Sequence, residues 1–333
     1  MVVLILKLKN LIENDNVAQQ LIEHYAFEKV EFGFLRSSSN VIYWVKADGK
    51  VYFLRYTTED ERNIESIQGE IAYILYLREQ GIQANQPVMT KEGNYVIQEN
   101  GFLGVLFACV DGEPLEELDI TPKVAREWGS QLGKLHKLSS TKRLEKKGVA
   151  CQRADFKEAF AWIHTILTNA KEQELQEIAT QLEQSFQTIE KTESNYGLCH
   201  YDLELDNVFW DEEKEEMSII DFDDSMYHFY AIDLVQIFMN IEEDIPEDRQ
   251  SLVKEEVMKG YMEDMPAPTE QELNLAKQFV ILLGYCKLAY CLAYPPELSP
   301  DWMKPLVDKL QNAKKMKYQI LTGKALADAG SHF

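Results

Sequence analysis

The chain has 333 residues, 45% of them hydrophobic and 27% charged, a balance that excludes a disordered polypeptide. Thirty-four Lys and Arg stand against 56 Asp and Glu, a formal net charge of −22. So acidic a chain makes nucleic acid or an anionic membrane a poor partner and suits divalent cations or amine-bearing ligands. At about 150 residues per domain the length corresponds to roughly two units, with a core that needs neither disulfide nor structural metal.

In chain order, Met1–Lys7 is an apolar run too short, and without a basic lead, for a signal peptide. A helix is expected near 13–25. Asn40–Val45 and Val51–Tyr56 are rich in β-branched and aromatic residues and flank Asp48-Gly49, so they read as a hairpin. Ile64, Ile67, Ile71, Ile74, Leu75 and Leu77 recur at helical spacing until Gly81, which predicts a helix over about 61–80. Strands return at Asn94–Gln98 and Val105–Val110.

After Gly112-Glu113-Pro114 the pattern turns mostly helical. Thr121-Pro122 caps a helix that runs to Ser139. Further helices fit 154–170, 172–190, 231–242, 250–262, 270–293 and 302–320, with Pro-bearing loops at Met265–Pro268 and Tyr294–Pro300. Two strands, Val208–Trp210 and Met217–Ile220, interrupt this half. The apolar stretch Phe279–Cys286 ends at Lys287 and is too short to span a bilayer. The cysteines at 109, 151, 199, 286 and 291 are odd in number and scattered, with no CxxC pair. They read as small buried hydrophobes in a reducing cytoplasm. The expectation is an α+β protein: a small antiparallel β-sheet N-lobe at 1–108 and a larger helical C-lobe at 109–333, with a cleft between them.

One segment carries the chemistry. His200-x-Asp202 is followed five residues later by Asn207, and a second apolar strand then delivers Asp221-Phe222 fourteen residues beyond that Asn. Residues 202–224 also hold eleven carboxylates and one Lys, so a solvated acidic hairpin is the bland alternative. An Asp to take or orient a hydroxyl proton, with an Asn and an Asp as hard oxygen ligands for Mg²⁺, is what phosphoryl transfer requires.

This H-x-D-(x)4-N … D-F pattern resembles the protein-kinase-like fold, and most of all its aminoglycoside phosphotransferase and choline kinase branch. The resemblance runs from about 30 to 320 and implies ATP and Mg²⁺ as cofactors. It makes Asp202 the catalytic base, Asn207 and Asp221 the metal ligands, and His200 a brace for the loop. It further implies that Arg55, in the place of a more usual Lys, pairs with the nucleotide phosphates and with Glu70, Glu65 being the alternative. Gly33–Asn40 would be the phosphate-covering loop, with Ser37, Ser38 and Ser39 as candidate contacts, although it lacks G-x-G-x-x-G. Backbone groups of Ala108 and Val110 would meet the adenine edge, with Val45, Phe53 and Ile219 or Ile220 around the ring. His136, in Leu132-Gly-Lys-Leu-His136, would be structural, and Asp233 would anchor the catalytic loop.

Asp223 stands where protein kinases have the Gly of D-F-G, and no A-P-E is present. Both departures point away from a regulated protein kinase. The resemblance therefore implies transfer of a γ-phosphate to a hydroxyl of a small molecule. A cationic acceptor such as an aminoglycoside or choline suits the charge of Glu204, Asp206, Asp223 and Asp224. A protein Ser/Thr kinase and a catalytically silent nucleotide-binding scaffold are the alternatives.

Overall fold

The computed structural model describes residues 16–37, 40–293 and 304–324. Helix α1 (Asn16–Ile22) leads into strands β1 (Val30–Ser37), β2 (Val41–Ala47) and β3 (Lys50–Thr58). Helix α2 (Ile64–Glu79), β4 (Gln83–Ala84), β5 (Ile97–Glu99) and β6 (Phe102–Ala108) follow. The N-lobe sheet has the order β1-β2-β3-β6-β5 and is antiparallel throughout.

Turn chemistry sets its registers. Asp48 and Gly49 take φ of 50° and 77°, the pair of left-handed residues a two-residue hairpin needs, and they place Ala47 opposite Lys50. Asn100 and Gly101, at 51° and 82°, do the same between β5 and β6. That turn moves the strands expected at 94–98 and 105–110 to Ile97–Glu99 and Phe102–Ala108, leaving Val110 outside the sheet.

The sheet separates two cores. Val41, Tyr43, Val45, Leu54, Tyr56 and Leu106 pack on α1 and Tyr25 on one face. Val105 and Phe107 point to the other face, where α2 and the C-lobe form one continuous core. Asn63 caps α2 by accepting the Ser66 N–H at 2.7 Å.

The C-lobe runs β7 (Glu113–Pro114), α3 (Pro122–Leu138), α4 (Thr141–Lys147), α5 (Phe156–Asn169) and α6 (Gln173–Gln187). Then come β8 (Tyr196–Cys199), β9 (Val208–Asp211), β10 (Glu216–Ile219), β11 (Met226–Phe229), α7 (Ala231–Asp244), α8 (Glu247–Tyr261), α9 (Glu270–Leu292) and α10 (Lys304–Thr322). Strand β4 pairs in parallel with β10, so a short N-lobe segment joins the C-lobe sheet β4-β10-β9-β7. Strands β8 and β11 form a second, two-stranded ribbon. Neither they nor α4 show in the sequence pattern, because each is only a few residues long and takes its partner from far along the chain.

The stretch read as a loop from Gly33 is strand β1 as far as Ser37, its backbone paired to β2. Gly33 is needed there because a Cβ would fall 2.7 Å from the Trp44 indole. Ser38, Ser39, Met1–Lys7 and the loop Tyr294–Pro300 lie outside the described residues. Helix α9 is continuous through Lys287 and, by length and composition alone, could cross a bilayer. Here it is a core helix whose Phe279, Leu282, Tyr285 and Cys286 are fully buried in the C-lobe.

Helices α3 and α8 touch backbone to backbone. A Cβ on Gly129 would lie 1.8 Å from the Val257 carbonyl oxygen, and one on Gly260 would lie 1.9 Å from that of Arg126. Neither neighbour is a movable side-chain tip. Gly129→Ala should therefore cost about 2 kcal/mol or more, although Ala is the better helix former. Urea unfolding of the variant checks this, the expected result being a clearly lower midpoint.

Candidate active site

The catalytic-type loop begins at the end of β8 and is held by one buried carboxylate. Asp233, at the start of α7, accepts the His200 N–H through Oδ2 and the Tyr201 N–H through Oδ1, each at 2.8 Å. The same Oδ2 lies 2.9 Å from His136 Nε2, and His136 Nδ1 lies 3.1 Å from the Tyr261 hydroxyl. Burial lowers the pKa of His136, against the pull of Asp233. Asp233 is held below its usual range despite complete burial, by its bonds to His136 and the loop. These placements agree with the roles the resemblance implies for His136 and Asp233.

Tyr201 takes the left-handed φ of 67°, and Gln236 Nε2 donates to its carbonyl at 2.6 Å. His200 is neutral, its pKa lowered to about 4 by burial, and its Nε2 meets the Ile220 carbonyl at 3.0 Å. It thus clips the loop to the strand that delivers Asp221. Asp221 is itself left-handed at φ 62° and opens a short 3-10 turn, Phe222–Asp224. The Phe222 ring fills the space beside His200 and Tyr73.

The three residues singled out by spacing converge. Asn207 Nδ2 donates to the Asp202 carbonyl at 2.9 Å and to its Oδ2 at 3.1 Å. Ile220 donates its N–H to the Asn207 carbonyl at 2.9 Å. Asn207 Oδ1 is buried and has no hydrogen-bond partner among the described residues. A buried carbonyl oxygen left unpaired is costly in isolation, and it is the hard donor a divalent cation takes. Asp221 supplies a carboxylate one residue beyond Ile220, whose N–H the Asn207 carbonyl accepts, and an amide oxygen with a carboxylate is a donor set that fits a divalent metal.

Burial pushes Asp221 up to about 6, with Asp223, Glu70 and Asp224 adding and Arg55 opposing. Burial also pushes Asp202 up to about 8, helped by Asp224, Glu204 and Asp221 against Lys287. Burial and the neighbouring carboxylates thus hold both toward the neutral form.

On the N-lobe side, Arg55 Nη2 bonds Glu70 Oε2 at 2.6 Å, and both residues are buried. Glu65 is exposed on the first turn of α2, so Glu70 holds the helix register. Arg55 Nη1 reaches Asp221 Oδ1 at 3.6 Å, and its guanidinium lies 5.1 Å from the Phe107 ring centre. Burial opposes its charge, but Glu70, Asp223 and Asp221 hold its pKa above the ordinary value.

A cleft of about 480 Å³ opens beside this pair, lined in part by Phe53, Arg55, Ala108, Val110, Ile220 and Asp221. Ile42 lines it where Val45 was expected. Side chains alternate along β2, so Val41, Tyr43 and Val45 face the N-lobe core. Ile219 is core for the same reason, and Ile220 faces the cleft. Ala108 gives its N–H to the Gln86 carbonyl at 2.8 Å, which withdraws that group from pairing with a base. Ser37 Oγ is buried with no hydrogen-bond partner among the described residues.

Several side chains that meet the acidic turn after Asp221 escaped the sequence reading. Arg62 Nη2 bonds Asp223 Oδ2 at 2.7 Å and Asp224 Oδ1 at 3.1 Å, and Lys287 Nζ bonds Asp224 Oδ2 at 2.6 Å. Arg153 donates to the Asp223 and Ser225 carbonyls, and Asn40 Nδ2 donates to Asp223 Oδ2 at 2.9 Å. Asp223 and Asp224, expected to face a cationic acceptor, are therefore already neutralised by the protein. Glu204 is not: its pKa is raised by burial and by Asp206 and Glu243. Of the missed cations only Lys287 left a signal, as the charge that interrupts an apolar helix. Arg36, whose guanidinium lies 3.7 Å from Asp206 and 4.0 Å from Asp221, sat in the stretch read as a phosphate loop.

With this geometry the family comparison is direct. Residues 33–269 match the model of the APH phosphotransferase enzyme family, and the chain belongs to that family. It is a phosphotransferase of the small-molecule kinase type, with a hydroxyl as acceptor. It is 26% identical over 298 residues to amicoumacin kinase of Bacillus subtilis (strain 168), covering 86% of this chain and 85% of that one. It is 22% identical over 326 residues to hydroxylysine kinase of Xenopus laevis, covering 86% and 84%. A solved amicoumacin kinase in complex with AMP-PNP and Ca²⁺ superposes with a TM-score of 0.74 at 20% identity, over 96% of each chain. The protein-kinase-like α+β fold read from the motif is thus the fold observed.

The raised pKa of Asp202 has a consequence for stability. The unfolded chain loses this proton near the ordinary value of 3.8, whereas the fold keeps it up to about 8. Ionised Asp202 therefore drains stability as pH rises through that window. In chelator-treated protein, Asp202→Asn should raise the melting temperature, by more at pH 8 than at pH 5. Calorimetric melts of both proteins at the two pH values measure the difference.

Proposed function

We propose that the chain transfers the γ-phosphoryl group of ATP, with Mg²⁺, to a hydroxyl of a small, amine-bearing molecule. The observation that carries the nucleotide and metal part is the buried Asn207 Oδ1, without a hydrogen-bond partner among the described residues, together with Asp221 held 3.6 Å from the Glu70-bound Arg55. Asn207 and Asp221 would hold the metal, which when bound neutralises phosphate charge and orients the phosphates. Arg55, fixed by Glu70, is aimed at the diphosphate and can engage it with two N–H groups. Phe53, Ile42 and Ile220 supply apolar faces for the base, and Val110 its edge contact. Ser37, whose buried hydroxyl has no partner among the described residues, would be a phosphate contact at the end of β1.

Asp202 would take the acceptor's proton. Its high pKa in the free protein suits that task, because the base holds its charge only when cations enter the site. The amine-bearing acceptor is supported by Glu204, whose charge no side-chain cation offsets at hydrogen-bond distance among the described residues. It is supported also by a relative named for hydroxylysine, which carries amines and a hydroxyl. A cytoplasmic location suits five cysteines that are all free.

The test is ATP turnover with amino alcohols, hydroxylysine, aminoglycosides, plain polyols and unfolded protein as acceptors. Transfer is expected to the amine-bearing hydroxyl compounds. Asp202→Asn should lower that turnover on the order of 10²-fold while leaving Mg-ATP affinity nearly unchanged. Transfer to protein would favour a protein kinase, and Mg-ATP binding without any transfer would favour a scaffold.

The metal assignment is checked separately. Nucleotide should raise the melting temperature of the wild type more with Mg²⁺ than without, by mass action. Asp221→Ala should lose that metal-dependent increment and keep the fold. Equal protection of the two proteins would remove Asp221 from the metal site.

A further inference from the structure

Two cations line the nucleotide-sized cleft, Arg55 and Arg36, and their surroundings differ sharply. Arg55 is 8% exposed and bonded to Glu70, so its position is fixed. Arg36, on the last turn of strand before the β1–β2 connection, has a side chain 51% exposed. Its Nη1 lies 3.7 Å from Asp206 Oδ2 and its Nη2 4.0 Å from Asp221 Oδ2. Both separations exceed hydrogen-bond length, so the guanidinium is attracted to the two carboxylates without being locked to either. The other cations near the site are committed elsewhere: Arg62 and Lys287 to Asp223 and Asp224, and Arg153 to main-chain carbonyls.

We infer that Arg36 is a mobile phosphate-contacting residue: it offsets Asp206 and Asp221 in the free protein and passes to the nucleotide's terminal phosphates when a divalent cation takes over Asp221. The inference rests on the nucleotide and metal reading above. Its physical basis is exchange of partners at little net cost. A half-exposed pair beyond hydrogen-bond distance contributes little, whereas a charge-assisted bond to phosphate in a partly enclosed cleft contributes more. A dication at Asp221 repels the guanidinium, and the incoming phosphates attract it.

The assignment predicts effects of opposite sign in one variant. Arg36→Ala removes a competitor for the metal and a partner for the phosphates. By calorimetry it should bind Mg-AMP-PNP about 10-fold or more weakly than wild type, the scale of one lost charged hydrogen bond. AMP, which lacks the terminal phosphates, should bind both proteins alike. Mn²⁺ alone, followed by electron paramagnetic resonance, should bind the variant at least as tightly as wild type. Arg36→Lys should recover part of the Mg-AMP-PNP affinity.

Unchanged Mg-AMP-PNP affinity in Arg36→Ala, or an equal loss for AMP, would overturn the assignment. A parallel loss of Mn²⁺ and Mg-AMP-PNP binding would mark damage to the metal loop and overturn it too. Wild-type protein that binds no Mg-AMP-PNP would overturn the nucleotide reading itself, and this inference with it.

Discussion

Asp233 is fully buried, and the conformation of the loop leading to Asp202 depends on the bonds it accepts. Two of them go to consecutive backbone N–H groups, those of His200 and Tyr201. Receiving both on one carboxylate requires a tight bend, and Tyr201 meets it with a left-handed φ that a bulky residue avoids unless held there. The bend turns Asp202 out of the core. His200, aligned by the same contact, bonds the Ile220 carbonyl, and Asn207 accepts the Ile220 N–H on its own carbonyl. The loop that carries Asp202 and the strand that carries Asp221 are therefore one hydrogen-bonded unit.

Around that unit the charges are arranged unevenly. Asp223 and Asp224 are answered by Arg62, Lys287 and the carbonyl-bound Arg153, so their side of the site is neutral and rigid. Burial first, and the neighbouring carboxylates second, raise the pKa values of Asp202, Asp221 and Glu204, and the cations near them offset this only in part. Proteins tolerate such frustration at functional sites because the ligand relieves it. The missing charge has the sign of a metal ion and of an amine. The family's chemistry requires the first, and the proposed acceptor supplies the second.

Besides the apolar core that α2 shares with the C-lobe, specific polar contacts join the lobes at the cleft. Arg55 spans from β3 to Glu70 on α2 and to Asp221, Asn40 reaches from the end of the β1–β2 connection to Asp223, and β4 pairs with β10. Each ties an N-lobe element to the strand-turn that carries Asp221. The position of the cleft is thus set by polar bonds at its floor, with the continuous apolar core of α2 and the C-lobe behind them.

Much of this was legible in the sequence because it is local. The Asp48-Gly49 hairpin, the capped helices and the offsets of Asp202, Asn207 and Asp221 are short-range patterns in which neighbouring residues decide the conformation. Asn100-Gly101 was equally local and shifted two strands by a few residues when left unread. The partners of Asp223 and Asp224 were not legible. Arg62, Arg153 and Lys287 come from three segments far apart in the chain, and nothing near them says what they face. The same holds for Glu70 over Glu65, for Ile42 over Val45, and for the carbonyl that claims the Ala108 N–H. The sequence by itself determined the fold class and the chemistry, since both are written in periodicity and in closely spaced functional groups. Only the tertiary structure decided which charges are already paired and which await a ligand, because an ion pair depends on distance in space and not along the chain.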